Sequence, residues 1–446
     1  MAGVLGCRVD AEVIAEAETA TGQDQATRVL MRFLHALHNA QMRLPRQGKA
    51  PSARARAVHL LGNWLVFGLC YPLSHTIAAR LPAQHSVALP LDAAVPFWPW
   101  MIVPYASSSL FFVLVFLLVR SAEELRVASR RMLLATVTAA LVFAVYPARF
   151  TSARPALDNP FLAAAYGFLD IVDQPYNQLP SLHVAYCLLF WLALRPLAGG
   201  WRRLALAAWL MLVAASTLFT WQHHAADVLG GLALGAAVAW LVRPGATRRS
   251  TVAFYYTIAA GITLHAGWFV LGSWLALYAA ACLLLVALAY ARRDARFLRK
   301  DGGRHALAAW LLYWPYLAGY LLTWALVRYR ERGRAAFIEL APGLFVGRRL
   351  SAAEARRLPE GCSVIDLSPE LPEAAALRGA CYHHAPLLDL HAPRPSQVRA
   401  VLALLAEQHR PGRAVFLHCA MGYSRSRFIA RLYARKNHRW LSRSTS

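Results

Sequence analysis

Apolar residues along this chain gather into nine blocks, near 57–79, 101–119, 132–147, 182–198, 203–220, 225–242, 251–271, 273–291 and 305–327. Each approaches the ~20 residues that a helix needs to cross a bilayer core. The loops between them alternate in charge. One set carries Arg120, Arg126, Arg130 and Arg131, then Arg195, Arg202 and Arg203, then Arg243, Arg248 and Arg249, then Arg292, Arg293, Arg296, Arg299, Lys300 and Arg304. The loops around 80–100, 148–180 and 221–224 are far less basic. Basic loops stay on the cytoplasmic side, so the poorly basic set is expected to face outward.

Residues 1–56 lack the apolar run of a signal peptide. Leu30, Phe33, Leu34 and Leu37 recur at helical spacing and predict a helix, either lying on the membrane surface or solvated and packed on its own domain. Arg43, Arg46, Lys49, Arg54 and Arg56 place this segment in the cytoplasm. Nine spans from there put the C-terminus outside, whereas Arg328, Arg330, Arg332 and Arg334 favour the inside. Either the last block, with Pro315 near its middle, is re-entrant, or one earlier block does not cross. The expectation carried forward is a cytoplasmic C-terminal domain.

From about 335 the pattern shortens. Phe337–Gly347 reads as two strands around a Pro-Gly turn, Val364–Leu367 and Ala414–Leu417 as buried strands, and Pro395–Gln408 as an amphipathic helix. The chain therefore divides into an N-terminal segment (1–56), a helical membrane domain (57–245), further spans with a linker (246–334), and a C-terminal domain (335–446). The fold class expected is an all-α polytopic membrane bundle followed by a small α/β domain.

Composition supports the membrane reading: 58% of the 446 residues are hydrophobic and mean hydropathy is +0.38. The net charge of +24 does not point to nucleic acid, because the basic residues sit in short loops with no basic–aromatic groove. Anionic lipid is the better partner for them. Seven cysteines show no CxxC pairing, so neither disulfides nor a metal site is indicated, and no cofactor is expected.

Two clusters carry chemistry. In His418-Cys419-Ala420-Met421-Gly422-Tyr423-Ser424-Arg425-Ser426 a cysteine precedes an arginine by six positions, with Gly422 between. A loop of that length can wrap backbone N–H groups around a phosphate, with the cysteine beneath and the arginine fork gripping oxygens. Such a setting lowers a thiol pKa. This segment resembles the signature of cysteine-dependent protein tyrosine phosphatases, and more closely their dual-specificity branch. The resemblance implies a phosphocysteine on Cys419, phosphate binding by Arg425, help from Ser426 as the thiolate leaves, and tuning by His418. It also implies an acid on a separate loop, for which Asp389, 30 residues earlier, is the candidate. Only 21 residues follow Arg425, fewer than this family carries, so a truncated terminus is expected.

The second cluster stands at two outward span ends. Pro180-Ser181-Leu182-His183 opens the fourth block; Gln222-His223-His224-Ala225-Ala226-Asp227 opens the sixth. His223 and Asp227 share one helix face, so the carboxylate can orient the ring. Ionisable residues at membrane depth are functional candidates. The set resembles the type-2 phosphatidic acid phosphatase superfamily over roughly 100–245. That resemblance implies His223 as nucleophile, Asp227 as its orienting partner, His183 as general acid and Ser181 as an oxygen ligand. Ser216-Thr217 replaces the usual Ser-Arg and is closer to the inositol phosphorylceramide synthase branch. Arg149 and Arg154 are the candidate phosphate clamps.

The function expected is a bifunctional phosphatase of phosphate monoesters, in a bacterial-type inner membrane, acting on a phosphorylated lipid. Alternatives are a phosphotransferase making a lipid headgroup ester, a phosphotyrosine protein phosphatase, or a non-catalytic phosphate-binding scaffold.

Overall fold

The computed structural model describes residues 50–80, 85–150, 152–173, 175–245, 251–379 and 381–436. The expected N-terminal helix and the basic tail after Lys436 lie outside them. The chain forms two compact units, residues 1–247 and 248–446.

The first unit is helical: α1 (Ala53–Arg80), α2 (Ile102–Leu118), α3 (Ala122–Val145), α4 (Pro160–Val172), α5 (Leu182–Leu194), α6 (Gly200–Phe219) and α7 (Ala225–Leu241). Helix α5 is the centre, enclosed by α2, α3, α6 and α7. Its Leu189 and Phe190 pack with Phe116, Met132 and Phe143. Three local signals start helices. Ser121 and Glu124 cap α3 reciprocally; Asn159 Oδ1 accepts the Phe161 and Leu162 N–H groups ahead of α4; Ser181 accepts from Val184 at α5.

Two departures from the sequence reading matter. Helix α3 begins at Ala122, ten residues before the predicted 132, because its first turns are polar yet packed inside the unit. Arg130 and Arg131 are consequently buried helix residues, not loop residues. Arg131 donates to the Val242 and Ala239 carbonyls at 3.1 and 3.2 Å, satisfying the last turn of α7. Arg56 does the same for α2, donating to the Phe116 and Leu117 carbonyls at 2.8 Å. The second departure is α4, which interrupts the loop 148–180 and exposes Phe161, Phe168 and Ile171.

The poorly basic loops meet at one end of this unit. His85 and Ala148, and Ala148 and Asn177, form bridges; the Trp98 N–H reaches the Phe219 carbonyl and the Trp221 indole reaches that of Val95. At the other end the Gly245 N–H binds Glu123.

The second unit starts with three helices: α8 (Thr251–Ile262), continued by a π-helical stretch Thr263–Val270, α9 (Trp274–Arg292) and α10 (Leu307–Arg330). Helix α10 is kinked at Tyr313, two residues before Pro315, which lacks an N–H and crowds the preceding turn. Tyr256, Tyr290, Phe297, Tyr316 and Tyr320 form an aromatic cluster among these helices.

A five-stranded sheet follows: β1 (Phe337–Ala341), β2 (Leu344–Arg348), β3 (Ser363–Asp366), β4 (Tyr382–His384) and β5 (Val415–Cys419), in the order β1-β2-β5-β3-β4. The β1–β2 hairpin turns at Gly343 (φ +76°); the other pairings are parallel. Every residue of β3 and β5 is buried, including the polar Ser363, Asp366 and His418, as in strands covered on both faces. Short helix α11 (Ala352–Ala355), α12 (Pro395–Gln408) and α13 (Arg425–Lys436) complete the unit. The predicted hairpin, buried strands and Pro395–Gln408 helix are all present.

Candidate active site

In the helical unit, His183 sits in the first turn of α5 and His223 just before α7. Their ring centroids are 6.4 Å apart. Two glycines permit the approach. A Cβ on Gly231 would lie 2.3 Å from the Ser181 carbonyl oxygen, and one on Gly230 would meet Leu179 and Pro180. Helix α7 therefore presses its glycine face against the turn that launches α5, as small residues allow between membrane helices.

Behind His223, Asp227 is fully buried with Oδ2 at 3.4 Å from Nδ1. The same oxygen accepts the His224 N–H at 2.8 Å, so this carboxylate both caps α7 and faces the histidine. His224 points elsewhere, stacking on Phe150 and lying 3.4 Å from Asp92. His183 Nδ1 is 3.4 Å from the Tyr105 hydroxyl. Tyr105 and Tyr71 both donate to Asp173 at 2.5 Å. Tyr105 and Asp173 were not legible from sequence; Asp173 closes a helix that the apolar pattern had not suggested.

Ser181 is fully buried and engaged as the α5 cap. Arg154 pairs with Asp170 at 2.7 Å and also donates to the Thr220 carbonyl, while Arg149 lies over the Tyr176 ring. Both arginines line an open cavity of about 410 Å³ with Asp173, Gln178 and Gln222, the residue preceding His223. Ser216 and Thr217 hydroxyls donate to carbonyls within α6.

Residues 83–241 match the PAP2 superfamily. That match, with five helices among the described residues long and apolar enough to cross a bilayer, supports a membrane protein whose helical unit is similar to this superfamily. Superfamily chemistry is of the phosphatase or phosphotransferase type on phosphate esters. No curated protein and no solved structure matches the chain. Of the five long helices, α1, α2, α3 and α6 belong to the first unit and α9 to the second. Outside the PAP2 match lie α1, helices α8 to α13 and the sheet, which carries the second cluster.

That cluster is at the carboxyl end of β5, where parallel sheets place their ligands. Cys419 ends the strand and Arg425 opens α13, both buried. Gly422 (φ +73°) holds the loop against β2: a Cβ there would lie 2.8 Å from the Arg348 nitrogen. Ser426 Oγ donates to the Gly347 carbonyl at 3.1 Å and lies 3.4 Å from Cys419 Sγ, where its lone pairs can accept from the thiol. Arg425 Nη1 donates to both oxygens of buried Glu370, at 2.8 and 3.0 Å, and to the Leu387 carbonyl. Its Nε lies 3.5 Å from Asp389 Oδ1. Burial opposes the Arg425 charge, but Glu370 and Asp389 outweigh it and hold the guanidinium firmly protonated.

His418 stacks on Phe416 beneath the loop, with Nε2 2.8 Å from Glu373 and 3.8 Å from Asp366. Burial lowers its pKa; Glu373 and Asp366 reverse this and raise it overall. Asp366 is held low against its own burial, chiefly by Lys300. Lys300, from the α9–α10 loop, binds Asp366 and the Ser368 and Leu371 carbonyls. Asp366, Glu373 and His418 place donor atoms within 4.8 Å of one another, a set able to hold a metal ion, although the Lys300 ammonium already sits on Asp366.

The structure thus brings together Cys419, Arg425, Ser426, His418 and Asp389 in one unit, and His183, His223 and Asp227 in the other. Glu370, Glu373 and Lys300 were missed. The available signal was two glutamates directly after a buried strand, in Ser368-Pro369-Glu370-Leu371-Pro372-Glu373.

Proposed function

We propose that this protein is a bifunctional membrane phosphatase acting on phosphorylated lipid. The observation that carries the reading is the facing pair His183 and His223, with Asp227 behind the second. His223 attacks phosphorus while His183 protonates the departing alcohol oxygen. His183, now neutral, takes a proton from water as the water displaces phosphate from the phosphohistidine. Arg149 and Arg154 attract the substrate into the adjoining cavity.

In the second unit, Cys419 thiolate attacks a phosphate gripped by Arg425, and Asp389 protonates the leaving oxygen. Water then cleaves the phosphocysteine with Asp389 as base, and Ser426 stabilises the departing thiolate. The weakly basic loops around it support an outward-facing histidine site, and Arg328, Arg330, Arg332 and Arg334 favour a cytoplasmic cysteine site.

A second reading for the membrane domain, transfer to an alcohol, is favoured by the cavity of about 410 Å³ beside Gln222, which has room for an acceptor. One experiment tests these assignments: free phosphate and new phosphodiester measured from a panel of phospholipid monophosphates, with wild type, Cys419→Ser and His223→Ala. Full activity in both variants contradicts the assigned chemistry. A phosphodiester lost with His223→Ala selects the transferase.

A further inference from the structure

The acid loop of the cysteine site does not hold itself. Directly after Asp389, Leu390 is left-handed (φ +52°) and 82% exposed, a conformation that a leucine adopts only when its surroundings impose it. The two residues before it are held by contacts with α9 and α10. Leu388 is buried among Tyr290, Tyr316 and Leu317. One turn further along α10, the Tyr320 hydroxyl donates to Asp389 Oδ2 at 3.0 Å, its ring packed 4.8 Å from Tyr316. The other carboxylate oxygen faces Arg425. The kink at Tyr313 sets the direction of the half of α10 that carries Tyr320.

We propose that Tyr320 is a positioning residue for the acid Asp389, which makes helix α10 a working part of the cysteine centre. The inference rests on the phosphocysteine reading above. With Oδ2 held by Tyr320, the proton of the neutral acid is confined to Oδ1, the oxygen on the Arg425 side. As the sulfur–phosphorus bond forms and the phosphorus–oxygen bond breaks, that proton passes to the leaving oxygen. The carboxylate left behind keeps the Tyr320 hydrogen bond, which strengthens as its acceptor becomes charged. A phosphate ester with a poor leaving group depends on this proton; one with a good leaving group hardly does.

The test uses the full chain carrying His223→Ala, which silences the first site, and two soluble esters: phenyl phosphate and p-nitrophenyl phosphate. Tyr320→Phe keeps the ring and removes only the hydroxyl. The expected result is a fall in kcat of about tenfold or more on phenyl phosphate and of less than about twofold on p-nitrophenyl phosphate. Asp389→Asn should show the same asymmetry, more strongly, and Tyr329→Phe on the same helix neither loss. Equal losses on both esters, or none, overturn the proposal, because a structural defect is blind to the leaving group. Absence of any turnover that depends on Cys419 overturns the phosphocysteine reading and this inference with it.

Discussion

Gly231→Ala adds one methyl group where α7 meets the α5 turn. Its Cβ would lie 2.3 Å from the Ser181 carbonyl oxygen and 2.9 Å from Val184 Cβ, where ordinary contact begins at 3.4 Å. The nearest neighbour is backbone, so relief requires the helices to separate by roughly 1 Å, at about 1–3 kcal/mol of overpacking. Helix propensity acts in the opposite direction, since alanine is favoured over glycine by about 0.5–1 kcal/mol. The steric term is the larger. Because His183 follows Ser181 by two residues and His223 precedes α7, the shift falls directly on the histidine pair, and a misplacement of about 1 Å can cost about 100-fold in rate. The assay is phosphate release from a phospholipid monophosphate by Gly231→Ala in a Cys419→Ser background. Gly68→Ala serves as control, since nothing lies within 4 Å of its added Cβ. A kcat/KM for Gly231→Ala within about twofold of that control would refute the claim that close helix approach assembles this site.

Lys300→Met leaves Asp366 buried without its ammonium partner, and should destabilise the second unit by about 3–5 kcal/mol, read as a lower thermal midpoint in detergent. His418 has a raised folded-state pKa, so its contribution is complete below the unfolded value of about 6.5 and is lost as pH rises through the folded value. Thermal midpoints should therefore fall as pH rises above about 6.5, and His418→Gln should flatten that slope. Asp366 has the opposite sign: its depressed pKa contributes above about 3.9 and is lost on acidification. Arg131→Met removes two charge-assisted bonds to the end of α7, worth about 1.5–3 kcal/mol each, and should lower the midpoint of the helical unit without changing KM.

Much of both sites was legible because each motif is local. Cys419 to Ser426 spans one loop, and His223 to Asp227 one helical turn, so spacing alone conveys which side chains share a face. The supporting residues were not legible. Tyr105 links Asp173 and His183 across 68 and 78 positions, Glu370 reaches Arg425 across 55, and Lys300 reaches Asp366 across 66. No periodicity relates residues so far apart.

The misreading of Arg130 and Arg131 has the same origin. Charge argues for a loop when only neighbours along the chain are counted. In the folded unit the open carbonyls of α7 accept Arg131, and a charged residue becomes a buried helix position.

By itself the sequence determined where most of the apolar helices lie, that a small α/β unit follows them, and which residues are candidates for chemistry on phosphate. Hydrophobic length and local motif spacing are properties of the chain alone. Tertiary structure decided which of those residues meet. Glycines 230 and 231 let two helices close until His183 and His223 face each other. Helix α10 brings Tyr320 to Asp389 across 69 positions. Such contacts depend on packing at distances that no local pattern encodes.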